Sequence, residues 1–200
     1  WNHAIIAPRF LVSAFVAGPA LIVLALQFIR YISTYKVSEE AVHMLRRIIT
    51  TATLINLFLV FCEVFTEFYS GALHNASAKY LFFGLEHHGH FYNNLVPWIW
   101  AAIILECLSL VVLMTPLVQQ RNLFNITCVF LIFAVWVEKG MGMLIPGFIP
   151  SPMGDIVEYD PTFNEVMVCV GIWAFGALVY SWLLHLSIPI LTGKFKMKKA

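Results

Sequence analysis

The chain is 200 residues long, 60% hydrophobic and only 12% charged, with a formal net charge of +1. Soluble domains run nearer half apolar and a quarter charged, so this composition excludes a water-dissolved globule. The near-neutral balance also argues against nucleic acid as a partner.

Five stretches are long and apolar enough to cross a hydrocarbon core of roughly 30 Å, which takes about 20 residues of helix. They are continuously apolar rather than alternating, which points to helices and away from a membrane β-barrel. The expected fold class is all-α, a polytopic transmembrane helix bundle. The first span covers about residues 10–29, with Gly18-Pro19 in its middle, where a lost backbone hydrogen bond predicts a kink. A polar hairpin, residues 30–40, leads to a second span over about 48–69. A loop containing His and Asn, residues 70–94, separates it from a third span, about 96–117. The short turn Val118-Gln119-Gln120-Arg121 then makes the fourth span, about 123–145, an antiparallel neighbour of the third. A loop rich in Pro and Gly, 146–162, precedes a fifth span over about 166–191, and a basic tail, 194–199, follows it. With no internal repeat and no low-complexity segment, residues 1–200 read as a single transmembrane domain.

Lys and Arg sort by side. Arg30, Lys36, Arg46, Arg47, Arg121, Lys194, Lys196, Lys198 and Lys199 make nine on one side, against three, Arg9, Lys79 and Lys139, on the other. The positive-inside rule therefore puts the 30–40 hairpin, the short turn and the C-terminus in the cytoplasm and the two long loops outside. Cys62, Cys107, Cys128 and Cys169 all lie in apolar runs without C-x-x-C spacing, as small buried hydrophobes would, and no metal site is expected of them.

The charges inside the spans stand out. Glu63 and Glu67 are four residues apart and share one helical face. Glu106 falls near the middle of the third span, Glu138 and Lys139 in the outer half of the fourth, and Arg9 at the outer end of the first. Each ionisable group near the bilayer centre costs about 2.5–3.5 kcal/mol on insertion scales, so these should face the bundle interior and pair. Two readings fit. In one the ion pairs only orient helices; in the other the carboxylates carry protons. The four Glu outnumber Arg9 and Lys139, so at least one carboxyl group is left without a basic partner, as a proton relay needs. Glu63, Glu67 and Glu106 are the best relay candidates, with Glu138 more naturally paired to the fixed charge of Arg9.

His87, His88 and His90 cluster in the outer loop within Glu86-His87-His88-Gly89-His90, where they would meet a partner subunit or line an entry to the charged interior. Zinc through these three lacks a fourth ligand and helical spacing. Haem b would need two histidines at matching depth on facing helices; His43 and His185 lie toward the same, cytoplasmic, side of two different spans, but near span ends, where a solvated or hydrogen-bonded histidine is the ordinary explanation. Trp98, Trp100, Trp136, Trp173 and Trp182 fit interfacial belts or helix packing.

Three runs are distinctive: Glu138-Lys139-Gly140-Met141-Gly142-Met143-Leu144-Ile145-Pro146-Gly147-Phe148, with Ile149-Pro150-Ser151-Pro152 after it; Ala7-Pro8-Arg9-Phe10-Leu11-Val12-Ser13-Ala14-Phe15; and Glu63-Val64-Phe65-Thr66-Glu67-Phe68-Tyr69. Together they resemble the NrfD family of polysulfide-reductase-type membrane subunits, in its sulfite-reduction-associated branch or the menaquinol-oxidising archaeal counterpart. The resemblance runs from Trp1 to about Phe195. It implies a subunit of a respiratory redox complex in a prokaryotic cytoplasmic membrane. Such a subunit exchanges electrons between menaquinol or menaquinone and a ferredoxin-like iron–sulfur subunit on the extracytoplasmic side, beside other membrane and haem subunits. It implies no metal or haem of the chain's own, and proton movement through the bundle. Arg9, Glu63, Glu67, Glu138 and Lys139 are the intramembrane residues it carries over, and His87, His88 and His90 are the weaker candidates for the quinone's vicinity. Relatives have about twice this many spans, so the chain is expected to be the C-terminal half of a larger subunit, consistent with a start at Trp1 rather than Met. In the family the quinone pocket is attributed mainly to the other half. The rival expectations are a non-catalytic anchor whose charges only fix packing, a b-type cytochrome, and a secondary transporter, the last disfavoured by the lack of recurring broken helices.

Overall fold

The computed structural model describes residues 5–33, 36–69, 76–87, 89–149, 156, 158 and 162–192. Five helices among these are long and apolar enough to span a membrane, as the hydropathy pattern requires. The chain divides into two compact units, one of Trp1–Gln27 with Ser38–Glu158 and one of Phe28–Val37 with Tyr159–Ala200.

In the first unit, interior positions form narrow stripes. Helix α1, Ile6–Ile32, buries Arg9, Ser13, Val16, Ala20 and Val23, alternating steps of four and three residues, and continues through Pro19. Helix α2, Glu39–Tyr69, buries Val42, Ile49, Ala52, Thr53, Asn56 and Val60. It starts nine residues before the expected span because its first turns carry Glu39, Glu40, His43, Arg46 and Arg47. Hydropathy reads such turns as loop, although nothing in them breaks a helix.

The segment expected to be a loop holds structure of its own. Helix α3 is Ala76–Phe82, and strands β1, Leu85–His87, and β2, His90–Tyr92, pair antiparallel with Leu85 opposite Tyr92 and His87 opposite His90. Gly84 enters the hairpin at φ +84°, where a Cβ would stand 2.9 Å from the Tyr92 carbonyl oxygen. Tyr80, Leu81, Leu95, Ile99, Ile149 and Ile156 form an apolar cluster under it, tied by Ser77 Oγ donating to the Ile149 carbonyl at 2.6 Å.

Helix α4, Val96–Met114, ends before Pro116, which pushes Thr115 into an extended conformation and opens a 3-10 turn, Pro116–Gln119. Helix α5, Arg121–Lys139, then runs back along α4. Ala102 of α4 packs on Ala134 and Val137 of α5, small side chains that let two membrane helices approach closely. At Gly140 the α-helix widens into a π-helical turn, Gly140–Leu144, closed by a 3-10 turn, Pro146–Phe148. Such π turns are rare and gather at functional sites. Gly142 lies where a Cβ would come within 2.9 Å of Ile99 Cδ1, so this turn presses closely on α4.

The second unit is built on helix α6, Phe163–Leu191. A capping box starts it: Thr162 N donates to Glu165 Oε2 at 2.7 Å, and Glu165 N donates to Thr162 Oγ1 at 3.4 Å. No residue of α6 is buried, and large apolar side chains occupy every side of it.

Candidate functional site

Four helices of the first unit bring their polar residues to one place. Arg9, in the first turns of α1, sits on that helix's buried stripe. Its Nε and Nη2 donate to Glu138 Oε1 at 2.9 and 2.5 Å, and its Nη1 is ion-paired with Glu63 of α2. The planar guanidinium holds two carboxylates from two helices at once, which an ammonium could not do with the same geometry. Lys139 Nζ reaches back to the same Glu138 oxygen at 3.0 Å. Adjacent helical residues do not face each other, so only the length of the lysine chain permits this contact. The same ammonium lies 5.5 Å from the Phe10 ring centroid, a cation–π contact that ties α1 to α5 a second time.

The other oxygen of Glu138 accepts from Asn56 Nδ2 at 3.0 Å. That amide nitrogen also donates to both oxygens of Glu106 of α4, each at 3.2 Å. One asparagine of α2 therefore bridges two buried carboxyl groups. Glu106 and Glu138 are each 2% exposed and Asn56 is fully buried, so water from the surface does not screen these contacts.

The two acids differ in their surroundings. Glu138 is surrounded by donors: arginine and lysine on one oxygen, an amide on the other. Glu106 is held by the Asn56 amide, while both cations sit on Glu138. Three carboxyl groups, Glu63, Glu106 and Glu138, share two cations, so a neutral cluster has room for one proton. In so closely coupled a set that proton belongs to the group rather than to one residue.

The expected pairing of Arg9 with Glu138 is present, and Glu63, Glu106 and Lys139 join it. Glu67 lies one turn beyond Glu63 on α2, half-buried. His87 and His90 face each other across the hairpin, the first half-buried and the second exposed, on elements other than those that carry the cluster. His88 lies outside the described residues, as do the basic tail from Lys194 and the Pro150-Ser151-Pro152 end of the longest motif. His43 and His185 are both exposed. The cysteines depart in part from expectation: Cys128 is buried and Cys62 partly so, but Cys107 and Cys169 are exposed. In a membrane span the outward face is also apolar, so hydrophobic character does not place a residue inside. Among the described residues, no group of three or more His, Cys, Asp or Glu side chains is placed to hold a metal ion.

Asn56 was not among the residues the charge pattern singled out, because it is neutral. The signal was still there: it stands seven residues before Glu63, two helical turns along the same face, inside an otherwise apolar run.

Comparison with known proteins places these residues in a wider group. The family model described as polysulphide reductase, NrfD, matches residues 1–149, which hold the whole cluster. No curated protein and no solved structure matches the chain.

Proposed function

The chain belongs to the polysulphide reductase NrfD family, membrane subunits of quinol-linked redox complexes that work beside iron–sulfur subunits, and on that premise we propose that its own task is to move protons through the buried carboxylate cluster. The observation that carries this reading is the Asn56 amide, which joins Glu106 and Glu138 inside an apolar bundle with more acid than base around it. Arg9 and Lys139 serve as fixed charges that hold Glu138 and Glu63 in place. Glu106, which no cation contacts among the described residues, is where the coupled set takes up its shared proton and passes it on, with Glu63 and Glu67 leading toward the outer surface.

The whole complex exchanges electrons between menaquinol or menaquinone and a ferredoxin-like iron–sulfur subunit on the extracytoplasmic side. It sits in a prokaryotic cytoplasmic membrane, with the 30–40 hairpin and the C-terminus in the cytoplasm. The distinctive motifs favour the branch typified by DsrP of the sulfite-reduction-associated DsrMKJOP complex. A quinone head group needs hydrogen-bond donors turned toward it. Here the Arg9, Lys139 and Asn56 donors are engaged on carboxylates, and His87 and His90 sit on the outer hairpin. On this reading the cluster serves the proton, and the quinone head group is assigned to another part of the complex.

The test is Glu106→Gln in the assembled complex in sealed vesicles. Proton uptake, followed with a pH-sensitive dye, should fall about tenfold, equivalent to roughly 1.4 kcal/mol of barrier, with subunit content unchanged. Wild-type proton uptake would sink the reading. The rival, an anchor whose charges only fix packing, is favoured by the way Arg9 joins α1, α2 and α5. It requires the opposite result: less assembled complex, with normal proton movement in what remains.

A further inference from the structure

We propose that Asn56 Oδ1 and Ser109 Oγ together bind an internal water molecule, the first of a polar file leading from the carboxylate cluster toward the α4–α5 turn. The water site rests on geometry alone; its part in proton transfer rests on the relay reading above.

The orientation of Asn56 is dictated by its neighbours. Its Nδ2 donates to Glu106 and Glu138, and the flipped amide would set an oxygen against both carboxylates. Oδ1 is therefore turned away from the acids. It is buried and accepts no hydrogen bond among the described residues. A buried acceptor left in that condition costs about 1–3 kcal/mol, and proteins usually satisfy it with an ordered water.

Ser109 supplies the second partner. Its hydroxyl is also buried without a hydrogen bond among the described residues. That is unusual among the long helices described, where several hydroxyls turn back onto their own backbone. Thr53 bonds the Ile49 carbonyl, Thr127 that of Leu123, Ser181 that of Ala177 and Ser187 that of Leu183. Among the buried serines and threonines of the described residues, Ser109 alone leaves its own backbone unbonded. It stands three residues after Glu106 on the same buried stripe of α4, about 4.5 Å along the axis. Asn56 Nδ2 is 3.2 Å from the Glu106 carboxyl, so Asn56 and Ser109 both neighbour Glu106, one across the α2–α4 contact and one a turn along α4. A third such atom, Asn125 Oδ1, lies one turn into α5, where the file would reach the α4–α5 turn.

The chemistry is proton hopping along oxygen. As the bound water gives a proton to a Glu106 carboxylate oxygen it takes another from the next water, so one O–H bond forms for each that breaks. No oxidant, reductant or leaving group is needed.

The experiment is a structure of the assembled complex in lipid at a resolution that shows ordered water, for the wild type and for Ser109→Ala, with proton uptake measured on both. Density within hydrogen-bond distance of Asn56 Oδ1 and Ser109 Oγ, lost in Ser109→Ala together with a several-fold slower proton uptake, is the expected result. A wild-type map with ordered water elsewhere in the bundle but none here overturns the site. Density here with unchanged uptake in Ser109→Ala overturns its role in the file. Glu106→Gln measured alongside separates the two ideas: wild-type uptake in that variant defeats the relay reading, whatever the map shows at Asn56.

Discussion

Helix α6 and the group α1, α2, α4 and α5, the last with the turns that extend it to Phe148, look alike to a hydropathy scan, all long and apolar enough to cross a membrane. Their interiors differ completely. The four-helix group buries Arg9, Glu106, Glu138, Asn56 and Ser109, whereas α6 buries nothing and is apolar on all sides. Mean hydropathy reports that a helix can lie in lipid. The few polar residues on one stripe report which side of it must not. A helix with such a stripe has an obligatory partner; a helix without one is held only by packing.

The contrast is broken most severely by removing Arg9. Arg9→Leu leaves Glu63 and Glu138 without their shared guanidinium in a low-dielectric interior, a loss of about 3–5 kcal/mol for such buried pairs. The amount of folded protein recovered from membranes should collapse, and Arg9→Lys should restore only part of it. Full recovery in the leucine variant would show that the cluster is dispensable to the bundle.

The converse change puts a charge where there is none. Leu178, at the middle of α6, is 65% exposed. Leu178→Asp should raise the cost of insertion by about 2.5–3.5 kcal/mol, seen as a reduced inserted fraction in a protease-protection assay. Leu178→Ala should insert normally. An aspartate tolerated there as well as Glu106 is tolerated in α4 would mean that α6 has polar partners of its own.

The smallest effect sharpens the picture at the π turn. Gly142→Ala drives a methyl group against Ile99 Cδ1. Overpacking of this kind costs about 1–3 kcal/mol, measured as a lower melting midpoint in detergent. Adding Ile99→Val should return most of it, because the obstructing atom is the end of a side chain rather than backbone. A double variant no better than the single one would place the strain in the widened backbone instead.

Much of this was legible in the residues themselves. Number and order of the spans follow from apolar length alone, because lipid leaves the backbone no alternative to helix. The pairing of Arg9 with Glu138 follows from the cost of burying either alone. The early start of α2 was hidden because charged turns at a membrane surface are still good helix, and the 85–92 hairpin because a short strand pair carries little periodic signal. Glu63, Glu106 and Lys139 were each recognisable as out of place, yet nothing in their spacing says that they meet.

Sequence by itself determined that this is a multi-span helical membrane protein with an interior richer in acid than in base. Only the tertiary structure decided that Glu106 is held by a neutral amide while both cations go to Glu138, and that Asn56 stands between them. Insertion cost depends on the charge of each residue and its depth along one helix, which the chain order specifies. Partner choice depends on how four helices rotate against one another, and that is settled by contacts such as Ala102 on Ala134 and Gly142 on Ile99, between residues far apart in the chain.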